Sequence, residues 1–195
     1  MYEKNNSSIS NGSYYRYILF KFKKCRAGKK VVSTSASVTE KLQTITQELG
    51  ESYPSTPKEV VEKHNELMRI GYSSDIKDEE LTAYAEALRM LYTKRLQEVN
   101  PIETQVSGLI AERLENEDKP LIMINSEIMD VTIIKDSDNS QNDSAGVVVK
   151  HGTNKGNITK EYSLVKEDGM WKIQSWETQK SEEDSTQSQT TSNNE

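Results

Sequence analysis

The 195-residue chain contains one cysteine, two histidines, two phenylalanines, two tryptophans and four prolines. A single thiol, Cys25, excludes an intramolecular disulfide and any multi-cysteine zinc site. The two histidines, His64 and His151, stand far apart in the chain. Neither a histidine-cysteine metal site nor a cysteine-histidine nucleophile pair is legible. No glycine-rich phosphate loop is present, so nucleotide binding has no support. The loop "DSDNSQNDS" lacks the central glycine and closing glutamate of a calcium loop. These absences predict no cofactor and no metal. A run of about 18 apolar residues, the length that crosses a bilayer, is also missing. The nearest stretch, "YYRYILFKF", is short and carries Arg16 and Lys21. Nor is there a basic excess: the formal net charge is -6, which argues against nucleic acid as a partner.

Hydrophobic residues make up only 33%, too few for all 195 residues to share one core. The polar material gathers at the ends. Residues 1–37 open with "NNSSISNGS" and include "KFKKCRAGKK" at 21–30, whose six basic residues suit proximity to an anionic membrane. Cys25 follows Phe22-Lys23-Lys24, not the small and aliphatic residues of a lipid-anchoring signal. Residues 178–195 hold no aliphatic or aromatic side chain. Both ends are expected to be disordered, leaving one domain at 38–177.

Within that domain, Val38, Leu42, Ile45 and Leu49 recur at helical spacing. Thr56-Pro57 with Glu59 is a capping box with proline at the first helical position. It opens a second helix whose apolar face reads Val60, Val61, His64, Leu67 and Met68, with Gly71 as its stop. A third helix, capped by Asp78, is expected to run without a break through Leu81, Tyr84, Ala85, Leu88, Leu91, Tyr92 and Leu96. Asn100-Pro101 closes it, and Asn100 is expected to cap "PIETQVSGLIAERLE".

From about residue 121 the period changes to two. "LIMINSEIMDVTII" reads as a strand whose phase slips near Met129-Asp130, the mark of a bulge. "AGVVVKHG", "ITKEYSLVK" and "MWKIQSW" follow as strands two to four, with short loops that imply an antiparallel meander. Helices followed by strands predict an α+β fold: three to four helices packed on a sheet of about four strands. Asp168-Gly169 reads as a two-residue type I′ turn. That register puts Tyr162, Leu164, Trp171 and Ile173 on one face, toward the helices. Trp176 falls on the other face, as a candidate contact surface, unless a bulge near Ser175 turns it inward.

The hairpin "YSLVKEDGMWKIQSWE", coming after helices and an antiparallel sheet, resembles the closing element of the NTF2-like (cystatin-like) cone fold. The segment "YPSTPKEVVEKHNELMRIGY…DEELTAYAEALRMLY…NP" resembles an uncharacterised NTF2-like family of extracytoplasmic proteins from Gram-positive gut anaerobes. Its members share a "YP-x-TP-x-EVV" opening, a "DEEL" helix, an "NP" break and a final "W-K-I-x-x-W". The last motif is met here by Trp171, Lys172, Ile173 and Trp176. The resemblance covers roughly residues 40 to 177. It implies a curved sheet and an extracytoplasmic or cell-surface location, and it assigns no catalytic residue. Family members begin with a membrane anchor or signal, where this chain has "YYRYILFKFKKC".

The expected role is that of a non-catalytic domain that binds a small ligand or a protein partner, a second copy in a homodimer included, or supports an envelope complex. The candidate pocket-lining residues are His64, Tyr84, Tyr92, Tyr162 and Trp171. His64 sits on an apolar helix face without an orienting partner, so packing explains it first. The tyrosines at helical spacing also suit a core. His151, near a strand end or turn, is expected to be exposed. A lyase or isomerase of the ketosteroid-isomerase type is the alternative. It requires a hydrogen-bonded histidine or carboxylate inside a sizeable pocket. An accessory subunit of a secretion or conjugation apparatus is a third reading.

Overall fold

The computed structural model describes residues 36–137 and 143–179. The basic run, Cys25, most of the terminal polar segment and the centre of "DSDNSQNDS" lie outside them. The architecture is α+β. Five helices come first: α1 (Val38–Glu51), α2 (Pro57–Gly71), α3 (Leu81–Arg89), α4 (Lys94–Val99) and α5 (Ile102–Glu115). A four-stranded antiparallel meander follows in the order β1 (Met123–Ile134), β2 (Ser144–Thr153), β3 (Gly156–Glu167) and β4 (Met170–Gln179). No helix among the described residues is long and apolar enough to cross a membrane.

Local chemistry sets the helix starts. Ser37 accepts from the Glu40 amide and the Glu40 carboxylate accepts from the Ser37 amide, a closed capping box for α1. Thr56 and Glu59 form the same reciprocal pair at α2. Each pair satisfies two amides that have no partner inside the helix. Gly71 is the last residue of α2, and its special need is room. A Cβ there would overlap the Tyr84 ring.

The expected unbroken third helix divides. Asp78 opens a short 3-10 turn, Asp78–Glu80, without capping it, and α3 stops at Arg89. The Leu91–Thr93 segment then runs beside β4: the Ile173 amide donates to the Leu91 carbonyl (2.8 Å), and the Thr93 amide donates to the Ile173 carbonyl (3.0 Å). Thr93 caps α4 through the Leu96 amide. Arg89 donates to the carbonyls of Gln97 and Asn100, and the Gln97 amide group donates back to those of Arg89 and Tyr92. Backbone pairing to the sheet outcompetes helix continuation, although the apolar spacing favours the latter. Asn100 ends α4 and provides no side-chain cap to α5, whose preceding residue is Pro101.

In the sheet, Val147, Val149, Tyr162, Leu164, Trp171 and Ile173 turn toward the helices and are buried. The opposite face carries Glu127, Lys150, Glu161 and Glu177 among its residues, all exposed. In β1 the pairing with β2 skips at Ile124 and at Met129, the latter where the sequence phase slips. Asp168 and Gly169 both have positive φ (54° and 80°), which gives the type I′ turn. The β3–β4 register runs as expected from Glu167↔Met170 to Leu164↔Ile173. It then shifts, so that Ser163 meets Ser175 and Tyr162 meets Trp176. Gln174 is the extra residue, and this bulge turns Trp176 to the helix-facing side.

Two substitutions test this packing. Trp171→Ala removes a buried ring and is expected to cost about 3–5 kcal/mol in denaturant unfolding. Gly71→Ala is expected to cost about 1–3 kcal/mol through overlap with Tyr84, despite alanine's better helix propensity. A Gly71→Ala protein as stable as the parent would remove the steric account of that glycine.

Candidate functional site

The helix-facing side of the sheet is not closed evenly. Residues of α1, α2 and α3 are buried in the core, whereas α5 has no fully buried residue and rests on it through Val106, Leu109 and Ile110. Between α5 and the rest lies an open cavity of roughly 290 Å³. His64, Met68, Tyr84, Leu88, Tyr92 and Trp176 supply the inner wall. Tyr72, Thr104, Gln105, Glu112 and Lys160 supply most of the polar part. Gly108 lines the α5 side, and a Cβ added there would meet nothing within 4 Å.

The inner wall is an aromatic cluster. The ring centroids of Tyr92 and Trp176 are 5.7 Å apart, and those of His64 lie 5.9 Å from Tyr92 and 6.1 Å from Trp176. Tyr162 stands beside them, 5.2 Å from His64 and 6.3 Å from Trp176. Such tilted and edge-on pairs suit the ring quadrupoles. Trp176 retains 38% exposure, so it is both part of the cluster and accessible to a ligand. Of the sequence candidates, the structure brings His64, Tyr84, Tyr92 and Trp176 to the cavity, with Tyr162 adjoining them. Trp171 lies elsewhere in the core, over which the Lys166 ammonium sits at 5.4 Å, while Tyr53 donates to its carbonyl at 2.8 Å. It is not a lining residue of this cavity.

Polar groups link the buried rings. His64 Nε2 lies 3.3 Å from the Tyr92 hydroxyl, while its Nδ1 is buried without a partner among the described residues. His151, expected at the surface, is completely buried. It occupies a helix-facing position in β2, where the sheet and the helices cover it. Its Nδ1 lies 2.9 Å from Ser126 Oγ and its Nε2 3.3 Å from the Tyr162 hydroxyl. Burial, followed by the nearby Lys160 charge, lowers His64 to about 3 and His151 to about 4. Both are therefore neutral near pH 7. Burial pushes the Tyr92 and Tyr162 hydroxyls up, so they stay protonated and can donate. Desolvation also lowers Lys160, opposed by the Glu112 charge. The Glu112 carboxylate accepts from the Tyr72 hydroxyl at 3.1 and 3.2 Å. Among the described residues, no group of three or more potential metal ligands converges.

Lys160, Glu112 and Tyr72 were missed by sequence reasoning. Lys160 had a signal: it shares the strand face of Tyr162 and Leu164, an unusual place for an ammonium. Glu112 and Tyr72 had none, because only the packing of α5 against the end of α2 brings them together.

The two histidines predict an acid limb in stability. Each is protonated in the unfolded chain below about pH 6.5 but resists protonation when folded. Their stabilising contribution is therefore complete above that pH and is lost as pH falls toward 4 and then 3. The expected loss at pH 4 is on the order of 3 kcal/mol per histidine, measured by denaturant unfolding across pH. His151→Gln should flatten its part of the limb; an unchanged limb would count against the burial argument.

No curated protein sequence matches the chain. Solved structures do, among them the crystal structure of the intermembrane space region of the chloroplast protein ARC6. That match has 11% identity, covers 64% of this chain and 94% of that one, and has a TM-score of 0.34. A family model, described as a domain of unknown function (DUF6715), matches residues 12–176. That span takes in all five helices and nearly the whole sheet, so the chain belongs to the DUF6715 family.

Proposed function

We propose that this domain is a non-catalytic binding module that takes a small ring-bearing ligand in the cavity beneath α5. The observation that supports this is the open cavity itself, walled by Tyr92 and Trp176 and edged with polar groups. A wall of rings gives a planar apolar ligand a large contact area, and a few polar groups fix its orientation. The extracytoplasmic location rests on the resemblance carried by the "YPSTP" and "WKIQSW" segments.

The lyase or isomerase reading has one observation in its favour. His64 is buried, lines the cavity and lies within hydrogen-bond reach of Tyr92. Its chemistry is poor for that role. A base lowered to about 3 has little driving force to take a proton at neutral pH, and no carboxylate orients its Nδ1. A binding role needs neither property.

The test uses Trp176 as reporter. In a Trp171→Phe protein, Trp176 is the sole tryptophan, and aromatic fragments that enter the cavity should change its emission saturably. Gly108→Leu should place a side chain in the cavity and weaken such binding at least tenfold. It should leave folding intact, because Gly108 is exposed and a Cβ there would meet nothing within 4 Å. Fragment affinity unaffected by Gly108→Leu would place any binding elsewhere and sink the proposal.

A further inference from the structure

The polar part of the cavity narrows the ligand class. Lys160 lies in β3 between Val149 of β2 and Thr178 of β4, and it lines the cavity on the helix-facing side. It is partly buried, yet among the described residues no carboxylate lies within ion-pair distance of its ammonium. An ammonium has three donors and no acceptor; that of Lys160 is partly desolvated but still reached by solvent, and among the described residues nothing takes up its donors. The acidic group that acts on it, Glu112, does so through space without an ion pair, and its carboxylate accepts from the Tyr72 hydroxyl. The two histidines close to Lys160 feel its charge, but neither carries an opposing charge and their hydrogen bonds go to Tyr92, Ser126 and Tyr162. The cavity therefore sets an ammonium in want of an acceptor beside an accessible aromatic wall.

An aromatic cage for a cation is the other use of such rings, and the geometry disfavours it. A cage needs rings around the cation. Here Tyr92, Trp176 and His64 pack on one another at 5.7–6.1 Å and offer one side only. A cation on that side would also meet Lys160.

Resting on the binding role above, we infer that the ligand is an anionic ring compound, an aromatic carboxylate or an equivalent acid. Its ring lies against Tyr92 and Trp176 and its acid group accepts from the Lys160 ammonium. Such a contact is charge-assisted, and it gives the partly desolvated Lys160 ammonium an anionic partner. No bond is made or broken.

The experiment compares three probes of one shape on the full chain by titration calorimetry: naphthalene-2-carboxylate, naphthalene-2-carboxamide and 2-naphthylmethylammonium. The carboxylate should bind about tenfold more tightly than the amide and should weaken with added salt, while the amide should not. Lys160→Met should abolish the preference of carboxylate over amide, and Lys160→Arg should keep most of it. Equal binding of all three probes would overturn the charge assignment and leave the binding role standing. Tightest binding of the ammonium probe would assign the control to Glu112 and overturn the inference too. If no probe binds, the cavity is not a site for ring compounds and both readings fall. Should Lys160→Met fail to fold, the salt dependence of the carboxylate alone decides: a flat response overturns the inference.

Discussion

Two backbone hydrogen bonds join Ile173 to the Leu91–Thr93 segment, and much of the architecture depends on them. They interrupt a sequence that would otherwise continue as helix. They also cover part of the outer edge of β4, whose amides and carbonyls would otherwise be open to strand addition. Most important for the site, they fix Tyr92 against the sheet. One helical turn more of α3 would carry that ring elsewhere, and the wall it forms with His64 and Trp176 would not exist. The corner is held from the other side by Arg89 and Gln97, which exchange hydrogen bonds with carbonyls on both sides of it.

The second determinant is the single extra residue in β4. Side chains alternate along a strand, so one inserted residue reverses the face of everything beyond it. Gln174 does this to Trp176. Without it, Trp176 would lie on the face with Glu161 and Glu177. With it, the indole joins Tyr162 across the strand pair and completes the aromatic wall. Both tryptophans of the closing hairpin face the helices, but they serve different ends of the sheet. Trp171 is buried in the core, and Trp176 stays partly open at the cavity.

Polar burial sets the chemistry of the site. His64, His151, Tyr92 and Tyr162 are removed from water, and the histidines are neutral there because burial and the Lys160 charge act in the same direction. His151 is matched by Ser126 and Tyr162. His64 has one ring nitrogen matched and one not. Unmatched buried polar atoms cost stability and are uncommon in folded proteins. Here the unmatched nitrogen belongs to a residue of the cavity wall. The weak seating of α5 also fits this picture, since a helix that buries no residue completely leaves space beneath it.

Much of the fold was legible in the sequence because it rests on local rules. The capping box at Thr56, the helical faces of α1 and α2, the slip near Met129 and the Asp168-Gly169 turn each depend on a few adjacent residues. So does the order of helices before strands. His64, Tyr84 and Tyr92 could be placed on an apolar face, but periodicity does not distinguish a filled core from a cavity wall. Tertiary structure decided the rest. The break after Arg89 arises from pairing with Ile173, more than 80 residues away. His151 is buried because two layers meet over a strand position that looks like a turn in the sequence. Lys160, Glu112 and Tyr72 become one polar edge only when α5, packed on α3, brings Glu112 to Tyr72 at the end of α2. Short-range hydrogen bonding and side-chain period are written in neighbouring residues. The faces that meet, and the space they leave, depend on how separate elements pack.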